Sequence, residues 1–160
     1  MSRVEEGAFV PSGFVAPQGL ATDRFRLEPL EPQHNDSDYE AWSTSLEHIH
    51  LTPGWETSSW PDDRSPADNL RDLQRHADDF EKRVGFTYTV LDPEKGDVIG
   101  CVYIYPDRSD EHDAHVSSWV RASRAELDVP LWRAVTAWLA EEWPFERVAY
   151  APRAESPSGS

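Results

Sequence analysis

The stretch Gly85–Arg121 constrains the fold most, because it predicts three consecutive β-strands with short connections. The predicted strands are Phe86–Asp92, Val98–Tyr105 and Ala114–Arg121. Pro93 and Gly96 lie in the turn between the first two strands, where proline presets one backbone dihedral and glycine permits a positive φ. The middle strand is apolar on both faces, which is typical of the centre of a sheet. The sequence therefore predicts an antiparallel meander.

Upstream of the meander, the sequence predicts one strand and two helices. The strand is Arg24–Leu30, where apolar and polar residues alternate. Apolar residues at helical spacing predict a first helix that Asp36 caps and that extends to about Ile49. A second helix is predicted to begin with a capping box at Ser65, and Gly85 is expected to end it.

Downstream of the meander, the sequence predicts one helix and one more strand. The helix runs from about Asp128, which can cap it, to Trp143, and the strand is Phe145–Ala151. A strand, a helix and a strand in succession predict a right-handed crossover and a parallel pair. The predicted fold class is therefore α/β (α+β), with a mixed, mainly antiparallel sheet flanked by about three helices.

The domain organisation is predicted to be simple. Residues 1–22 contain prolines, glycines and isolated apolar residues, and are expected to form an irregular arm. Residues 23–152 are expected to form a single domain, since a chain of 160 residues suits one domain with a sizeable core. Residues 153–160 are small and polar, and are expected to be a disordered tail.

The charge of the chain excludes several classes of partner. The sequence has 30 acidic and 15 basic residues, a formal net charge of −15. Such a surface repels nucleic acids and anionic lipids, because both bind through lysine and arginine. No apolar run approaches the ~18 residues that a membrane span needs, and no signal peptide is recognised. We therefore expect no nucleic acid, no membrane and a cytoplasmic location, with a solvated acidic surface or attraction of a cationic substrate as alternatives.

The sequence predicts no metal site and no cysteine chemistry. Its single cysteine, Cys101, lies within the middle strand of the meander and is expected to be a small core residue. His48 and His50 would point about 200° apart on a helix, and no third ligand follows at a characteristic spacing.

The order of the predicted elements carries a family resemblance. The order is a strand, two helices, a three-stranded meander, a helix and a strand, and Asp97–Gly100 begins the central strand with the pattern x-x-I-G. Over roughly residues 23–152 the chain resembles the GCN5-related N-acetyltransferase (GNAT) family. The resemblance implies transfer of an acyl group from acetyl-CoA to an amine or other small-molecule acceptor.

The resemblance also implies where the cofactor would bind. In the family, the strand that matches Trp119, Val120 and Arg121 splays from its neighbour, and its exposed backbone pairs with the pantetheine arm. The loop that follows carries glycines whose N–H groups receive the pyrophosphate at a helix N-terminus. The implied cofactor-binding residues are Trp119, Val120, Arg121 and, in the loop, Arg124.

The sequence departs from the family in this loop. Residues 125–130 lack both glycines of the family pattern, Asp128 places a carboxylate near the pyrophosphate position, and Pro130 lacks an N–H donor. Arg121, Arg124 and Arg133 could offset the added negative charge. We therefore expect an atypical cofactor loop.

The chain also lacks, after the last predicted strand, a helix with a catalytic tyrosine and two strands that the family usually has. Either the N-terminal arm or a second subunit, in a homodimer, is expected to complete the sheet, or the acceptor side is open. Acetyl transfer needs a base and an acid. The candidates near the central strands are His115, Tyr103 and Tyr105, with Asp113 and His112 in the adjacent loop. For each of them, packing in the core or at the surface is the alternative.

Three hypotheses follow for the function. The first is an N-acyltransferase with an atypical cofactor loop. The second is a non-catalytic protein of the same fold that binds a partner or a small molecule. The third is a divergent enzyme that uses the cleft for chemistry without coenzyme A.

Overall fold

The computed structural model describes residues 8–60, 64–109 and 111–153, which form one mixed sheet with helices on both faces. The strands are β1 (Leu20–Ala21), β2 (Arg26–Pro29), β3 (Phe86–Leu91), β4 (Val98–Tyr105), β5 (Ala114–Val120) and β6 (Val148–Tyr150). The helices are α1 (Asn35–Ser43), α2 (Leu46–Leu51), α3 (Pro66–Lys82) and α4 (Asp128–Glu142).

The sheet follows the order of the chain, from β1 at one edge to β6 at the other. Each neighbouring pair from β1 to β5 is antiparallel, and β5 pairs with β6 in parallel through the α4 crossover. The predicted α/β class, the meander and the parallel pair are confirmed. β4 is buried along most of its length and has the predicted bounds.

The edges of the sheet differ from the prediction. β1 pairs with β2 through Leu20 and Leu27, although Leu20 belongs to the range predicted to be an irregular arm. Two residues carry too little periodicity to indicate a strand. The predicted strands Arg24–Leu30 and Phe145–Ala151 are shorter in the structure, at four and three residues.

The first predicted helix is two helices, α1 and α2. The break falls at Thr44 and Ser45, whose hydroxyls donate to the carbonyls of Glu40 and Ala41, at 2.8 Å each. Such bonds compete with the helical backbone ladder and favour a break. The predicted cap at Asp36 is wrong, because a 3₁₀ turn at Pro32–His34 runs directly into α1 at Asn35.

α3 begins as predicted but ends differently. Ser65 and Asp68 form the predicted reciprocal capping box, with Pro66 in the first turn. The predicted stop at Gly85 is wrong, since Arg83 has the left-handed backbone at φ 65°. A non-glycine residue in this backbone conformation is strained. The Arg83 guanidinium donates hydrogen bonds to the carbonyls of Phe14 and Pro11, which offset this cost. These bonds tie the N-terminal segment to the domain.

The two faces of the sheet have separate hydrophobic cores. One core packs α4 and the N-terminal segment against the sheet, with Leu131, Val135 and Trp138 of α4 buried. The other lies under α1, α2 and α3, and contains the buried side chains of Trp42 and Trp119. Cys101 is buried in this second core, as predicted.

Within residues 8–60, 64–109 and 111–153, no helix is both long enough and apolar enough to cross a bilayer.

Candidate functional site

β5 and β6 pair along the first half of β5 and separate beyond it. They pair only at Ala114 with Val148, His115 with Ala149, and Val116 with Tyr150. β5 continues to Val120, whereas β6 ends at Tyr150. The space between residues 117–120 of β5 and residues 151–153 is called the wedge below. It opens where the family resemblance predicts a splay.

The wedge is occupied by side chains of the chain itself. The backbone oxygen of Ser118 accepts hydrogen bonds from the Trp55 indole N–H and from Arg153 Nη2, both at 2.8 Å. The Ser118 hydroxyl lies 2.6 Å from the hydroxyl of Tyr150. Within residues 8–60, 64–109 and 111–153, no strand pairs with residues 117–120 on this edge of β5, and the Ser118 carbonyl already accepts from two donors.

The side chain of Arg153 is buried in the wedge. It is 1% exposed, and its Nε lies 2.9 Å from Asp128 Oδ2, at the start of α4. The sequence predicts a disordered tail at residues 153–160, whereas Arg153 is buried in the wedge; residues 154–160 lie outside the described part of the chain. Asp128 was expected to cap α4, but Leu127 holds the cap position and the Asp128 carboxylate binds Arg153 instead.

The loop between β5 and α4 holds its arginines away from the wedge by ion pairs. Arg121 Nη2 lies 2.6 Å from Glu40 Oε2, and the backbone N–H of Arg121 donates to Ile99 on β4. Arg124 Nη1 lies 3.0 Å from Asp92 Oδ2. Backbone N–H donors of the β3–β4 turn, assisted by Arg124, lower the pKa of Asp92 to about 2. Both guanidinium groups are therefore engaged by carboxylates, one on α1 and one in the β3–β4 turn.

The remaining implied cofactor residues, Trp119 and Val120, are buried core residues. The Trp119 indole lies on the α1–α3 face and donates to the hydroxyl of Tyr103 at 3.0 Å. Val120 packs on the α4 face. The backbone of Trp119 packs closely against Gly100 of β4. A Cβ at Gly100 would lie 2.1 Å from the Trp119 carbonyl oxygen. The implied role of these residues in cofactor binding stays a prediction.

On the other side of Trp55 lies a cavity of about 280 Å³. Its walls are aromatic, formed by Trp55, Trp60 and Tyr103, and Trp55 stacks at a tilt against Trp60 with 5.3 Å between ring centroids. Its ionisable lining residues are Asp38, Arg64, Asp72, Arg75 and His76. A cavity that combines apolar walls with a few convergent polar groups has the character of a small-molecule site.

Asp38 lies in the wall of this cavity and is 4% exposed. Its Oδ2 accepts a hydrogen bond of 3.0 Å from the Asn69 amide, which in turn accepts from the Trp42 indole. Burial raises the pKa of Asp38 to about 6, despite the hydrogen bond from Asn69. A carboxyl of raised pKa in a cavity is typical of a functional site, because a core position would favour a neutral residue.

His76 projects from α3 into the same cavity. Its Nδ1 lies 2.8 Å from the Tyr105 hydroxyl and 3.0 Å from the Thr87 hydroxyl. The Tyr105 hydroxyl donates to Asp79 Oδ2 at 2.9 Å, so its oxygen is left to accept from Nδ1–H. That tautomer leaves a lone pair on Nε2. Burial and the nearby Arg75 lower the pKa of His76 to about 4, which keeps the ring neutral at neutral pH.

The three predicted catalytic residues occupy different surroundings. Tyr103 lines the cavity, and burial raises the pKa of its hydroxyl. Tyr105 orients His76, and burial together with Asp79 raises its pKa as well. The side chain of His115 is 57% exposed and lies 3.7 Å from Asp107, at the end of β5 where β6 is still paired. The structure thus brings Tyr103 and Tyr105 together around His76.

Sequence reasoning missed His76, Asp38 and Arg153. His76 follows Asp72 by four residues on α3, beside the apolar stripe, and this polar pair was a usable signal. Nothing local marks Asp38 or Arg153, since their partners Asn69 and Ser118 lie 31 and 35 residues away.

A parallel strand pair that splays beside a cavity, in a sheet of this order, is the architecture of GNAT acetyltransferases. Three solved structures show the likeness. The ribosomal-protein-S5-alanine acetyltransferase from Vibrio fischeri matches with a TM-score of 0.61 and 16% identity, over 82% of this chain and 72% of that one. A Salmonella typhimurium acetyltransferase that modifies the N-terminal serine of ribosomal protein L7/L12 matches at 0.62 and 10%, over 86% and 76%.

The third structure contains a cofactor. MccE, the microcin C7 self-immunity acetyltransferase in complex with acetyl-CoA and AMP, matches with a TM-score of 0.62 and 11% identity, over 84% of this chain and 73% of that one. These likenesses show that the chain has the GNAT fold. No family model matches the sequence, and no curated protein matches it either.

The wedge, in the conformation described, does not fit the pantetheine arm that the resemblance implies. The Ser118 carbonyl already has two donors. The first residue of α4 carries a carboxylate in an ion pair, where the resemblance implies a pyrophosphate. A cofactor could enter only after these contacts change.

Proposed function

We propose that the chain is an N-acyltransferase that moves an acetyl group from acetyl-CoA to an acceptor with an amine. The observation that carries this proposal is the position of Trp55. Its ring lines the cavity, and its indole N–H reaches Ser118 in the wedge. A candidate donor groove and a candidate acceptor cavity therefore adjoin a single side chain, within a fold whose solved members include an acetyl-CoA complex.

The chemistry of the cavity suits a cationic acceptor. The indole rings of Trp55 and Trp60 offer π-faces to an ammonium group, and the carboxylates of Asp38 and Asp72 offer negative charge. Arg64 and Arg75 both pair with Asp72, at 2.8 and 3.9 Å between nitrogen and oxygen, so the negative charge available to an ammonium group comes chiefly from Asp38. An acidic chain of net charge −15 also attracts cations from a distance.

His76 is the base that the geometry favours. Bound acetyl-CoA would supply the electrophilic thioester, and the chain itself has to hold the amine and accept its proton. The imidazole is neutral at neutral pH and has a lone pair that can accept the proton, and its pKa of about 4 makes it a weak base that releases the proton again readily. Tyr105, with Asp79 behind it, fixes the ring orientation. The protonated hydroxyl of Tyr103, on the cavity wall, would give its proton to the coenzyme A thiolate that leaves when the C–S bond breaks.

We expect His76→Gln to lower kcat for amine-dependent release of coenzyme A by about 100-fold, because the substitution removes a general base. The measurement is thiol release from acetyl-CoA in the presence of a panel of primary amines and peptides with free N-termini. His112→Gln is the matched control, since His112 lies in the exposed β4–β5 loop. Full activity of His76→Gln together with loss in His115→Gln would move the base to β5.

A non-catalytic binding protein is the second candidate function. The filled wedge favours it, because the buried, hydrogen-bonded Arg153 lies where the resemblance implies a cofactor. Titration with acetyl-CoA in a calorimeter separates the two candidates. Micromolar binding, or any amine-dependent turnover, supports the transferase. If neither the natural chain nor variants that open the wedge bind acetyl-CoA at millimolar concentration, only the binding protein remains.

A further inference from the structure

Arg153 uses nearly all of its hydrogen-bonding capacity inside the wedge. Nε and Nη2 donate to the Asp128 carboxylate at 2.9 and 3.4 Å, and Nη1 donates to the Ala151 carbonyl at 2.8 Å. Nη2 also donates to the Ser118 backbone oxygen, at 2.8 Å, and lies 3.3 Å from the Ser118 hydroxyl. The guanidinium carbon lies 5.6 Å from the centre of the Tyr150 ring. This is a built site for one guanidinium group.

Arg153 contacts both regions in which the resemblance implies that a cofactor would bind. The resemblance implies that the free edge of β5 binds pantetheine and that the start of α4 receives the pyrophosphate. Ser118 belongs to that edge, and Asp128 is the first residue of α4. One side chain therefore spans both subsites. Its positive charge also neutralises Asp128, whose carboxylate would otherwise repel a phosphate.

We propose that Arg153 is an internal competitor of acyl-CoA, so that the cofactor binds only when Arg153 has left Ser118 and Asp128. The inference rests on the proposed function for the identity of the ligand. In the conformation described the wedge is closed by the chain's own arginine. The apparent affinity for acyl-CoA is then the intrinsic affinity reduced by the fraction of molecules in which the wedge is open.

The test is calorimetric titration of the full chain and its variants with acetyl-CoA. We expect Arg153→Ala to bind at least tenfold more tightly than the natural chain, because the competitor is gone. Asp128→Asn loosens the ion pair without removing Arg153, and it also removes a repulsive charge, so we expect tighter binding there too. The double variant is expected to bind most tightly. Arg147→Ala is the matched control, since Arg147 forms an exposed ion pair with Asp113 just before β6.

A second measurement follows the arginine directly. In the natural chain, the Arg153 Nε–H should give a protected, slowly exchanging NMR signal because the group is buried and ion-paired. Saturating acetyl-CoA should remove that protection. This readout does not depend on whether Arg153→Ala folds, and the conservative Asp128→Asn variant supplies a binding test if it does not.

The outcomes are distinct. Equal affinity in Arg153→Ala and the natural chain would overturn the inference, while turnover with an amine would leave the proposed function standing. Weaker binding in Arg153→Ala would also overturn it and would make Arg153 a cofactor ligand. If no variant binds acetyl-CoA, including the double one, both the inference and the proposed function are overturned. An open wedge that has no affinity for the cofactor leaves Arg153 without a ligand to compete with.

Discussion

The Asp38→Asn variant is expected to be more stable than the natural chain above about pH 6, by about 3 kcal/mol. The pKa of Asp38 is raised from 3.8 to about 6 in the folded chain, chiefly by burial. Above both values the carboxylate must be ionised inside the protein, which costs stability. Below the unfolded value it is neutral in both states, and the cost vanishes. The stability of the natural chain relative to the variant therefore falls as pH rises from about 4 to about 6.

The measurement is the free energy of unfolding by urea for both chains across this pH range, taken as a difference so that the other groups cancel. Asp36→Asn is the matched control, because Asp36 lies on the same helix and is exposed. If the stability difference between Asp38→Asn and the natural chain does not change with pH, burial does not raise the pKa of the Asp38 carboxyl. Asp38 would then no longer be a candidate for the acceptor site.

The same variant tests function in the opposite direction. If Asp38 helps to hold an ammonium group, Asp38→Asn should raise KM for the amine while stability increases. Proteins keep such destabilising groups where activity needs them. A gain in stability without any loss of activity would indicate that Asp38 serves packing alone.

The second large effect is expected at Gly100, at the centre of the sheet. An alanine Cβ at this position would lie 2.1 Å from the Trp119 carbonyl oxygen and 3.1 Å from the Val120 Cα, both backbone atoms of β5. Backbone in a central strand cannot move aside as a flexible side chain can. Gly100→Ala should therefore destabilise the fold by about 3 kcal/mol or more, at the upper end of overpacking effects.

Urea unfolding followed by tryptophan fluorescence measures this loss. The matched control is Gly13→Ala, because Gly13 is exposed and a Cβ there would meet nothing within 4 Å. It should change stability by less than about 0.5 kcal/mol. A mild effect of Gly100→Ala would mean that β4 and β5 can separate easily, and that the register which fixes the wedge is soft.

The elements with strong local signals were predictable from the sequence. The capping box at Ser65 and the two-sided apolar run Val98–Tyr105 were placed correctly, because each depends on residues within a few positions. The end of α3 was not, since glycine is the usual left-handed residue and Arg83 adopts that backbone through bonds to a segment 69 and 72 residues away. The residues around Arg83 in the sequence do not indicate these distant hydrogen bonds.

The candidate site was less predictable than the fold. The position of the splay followed from the resemblance, but its contents did not. The bond from Trp55 to Ser118 joins residues 63 apart, and a surface tail was the natural expectation for Arg153. Burial raises the pKa of Asp38 and lowers that of His76, and burial is a property of the folded chain. The chemistry of the cavity was therefore visible only after the helices were packed.

The double engagement of Trp55 has a thermodynamic consequence. Its ring is a wall of the cavity, and its indole N–H is bonded to the free edge of β5. A ligand in the cavity that moves this indole also changes the affinity of the wedge for its own ligand, and the converse holds. Linkage then requires reciprocity: whatever factor the first ligand applies to the affinity of the second, the second applies to the first. Donor and acceptor affinities should be measured together, as one coupled pair.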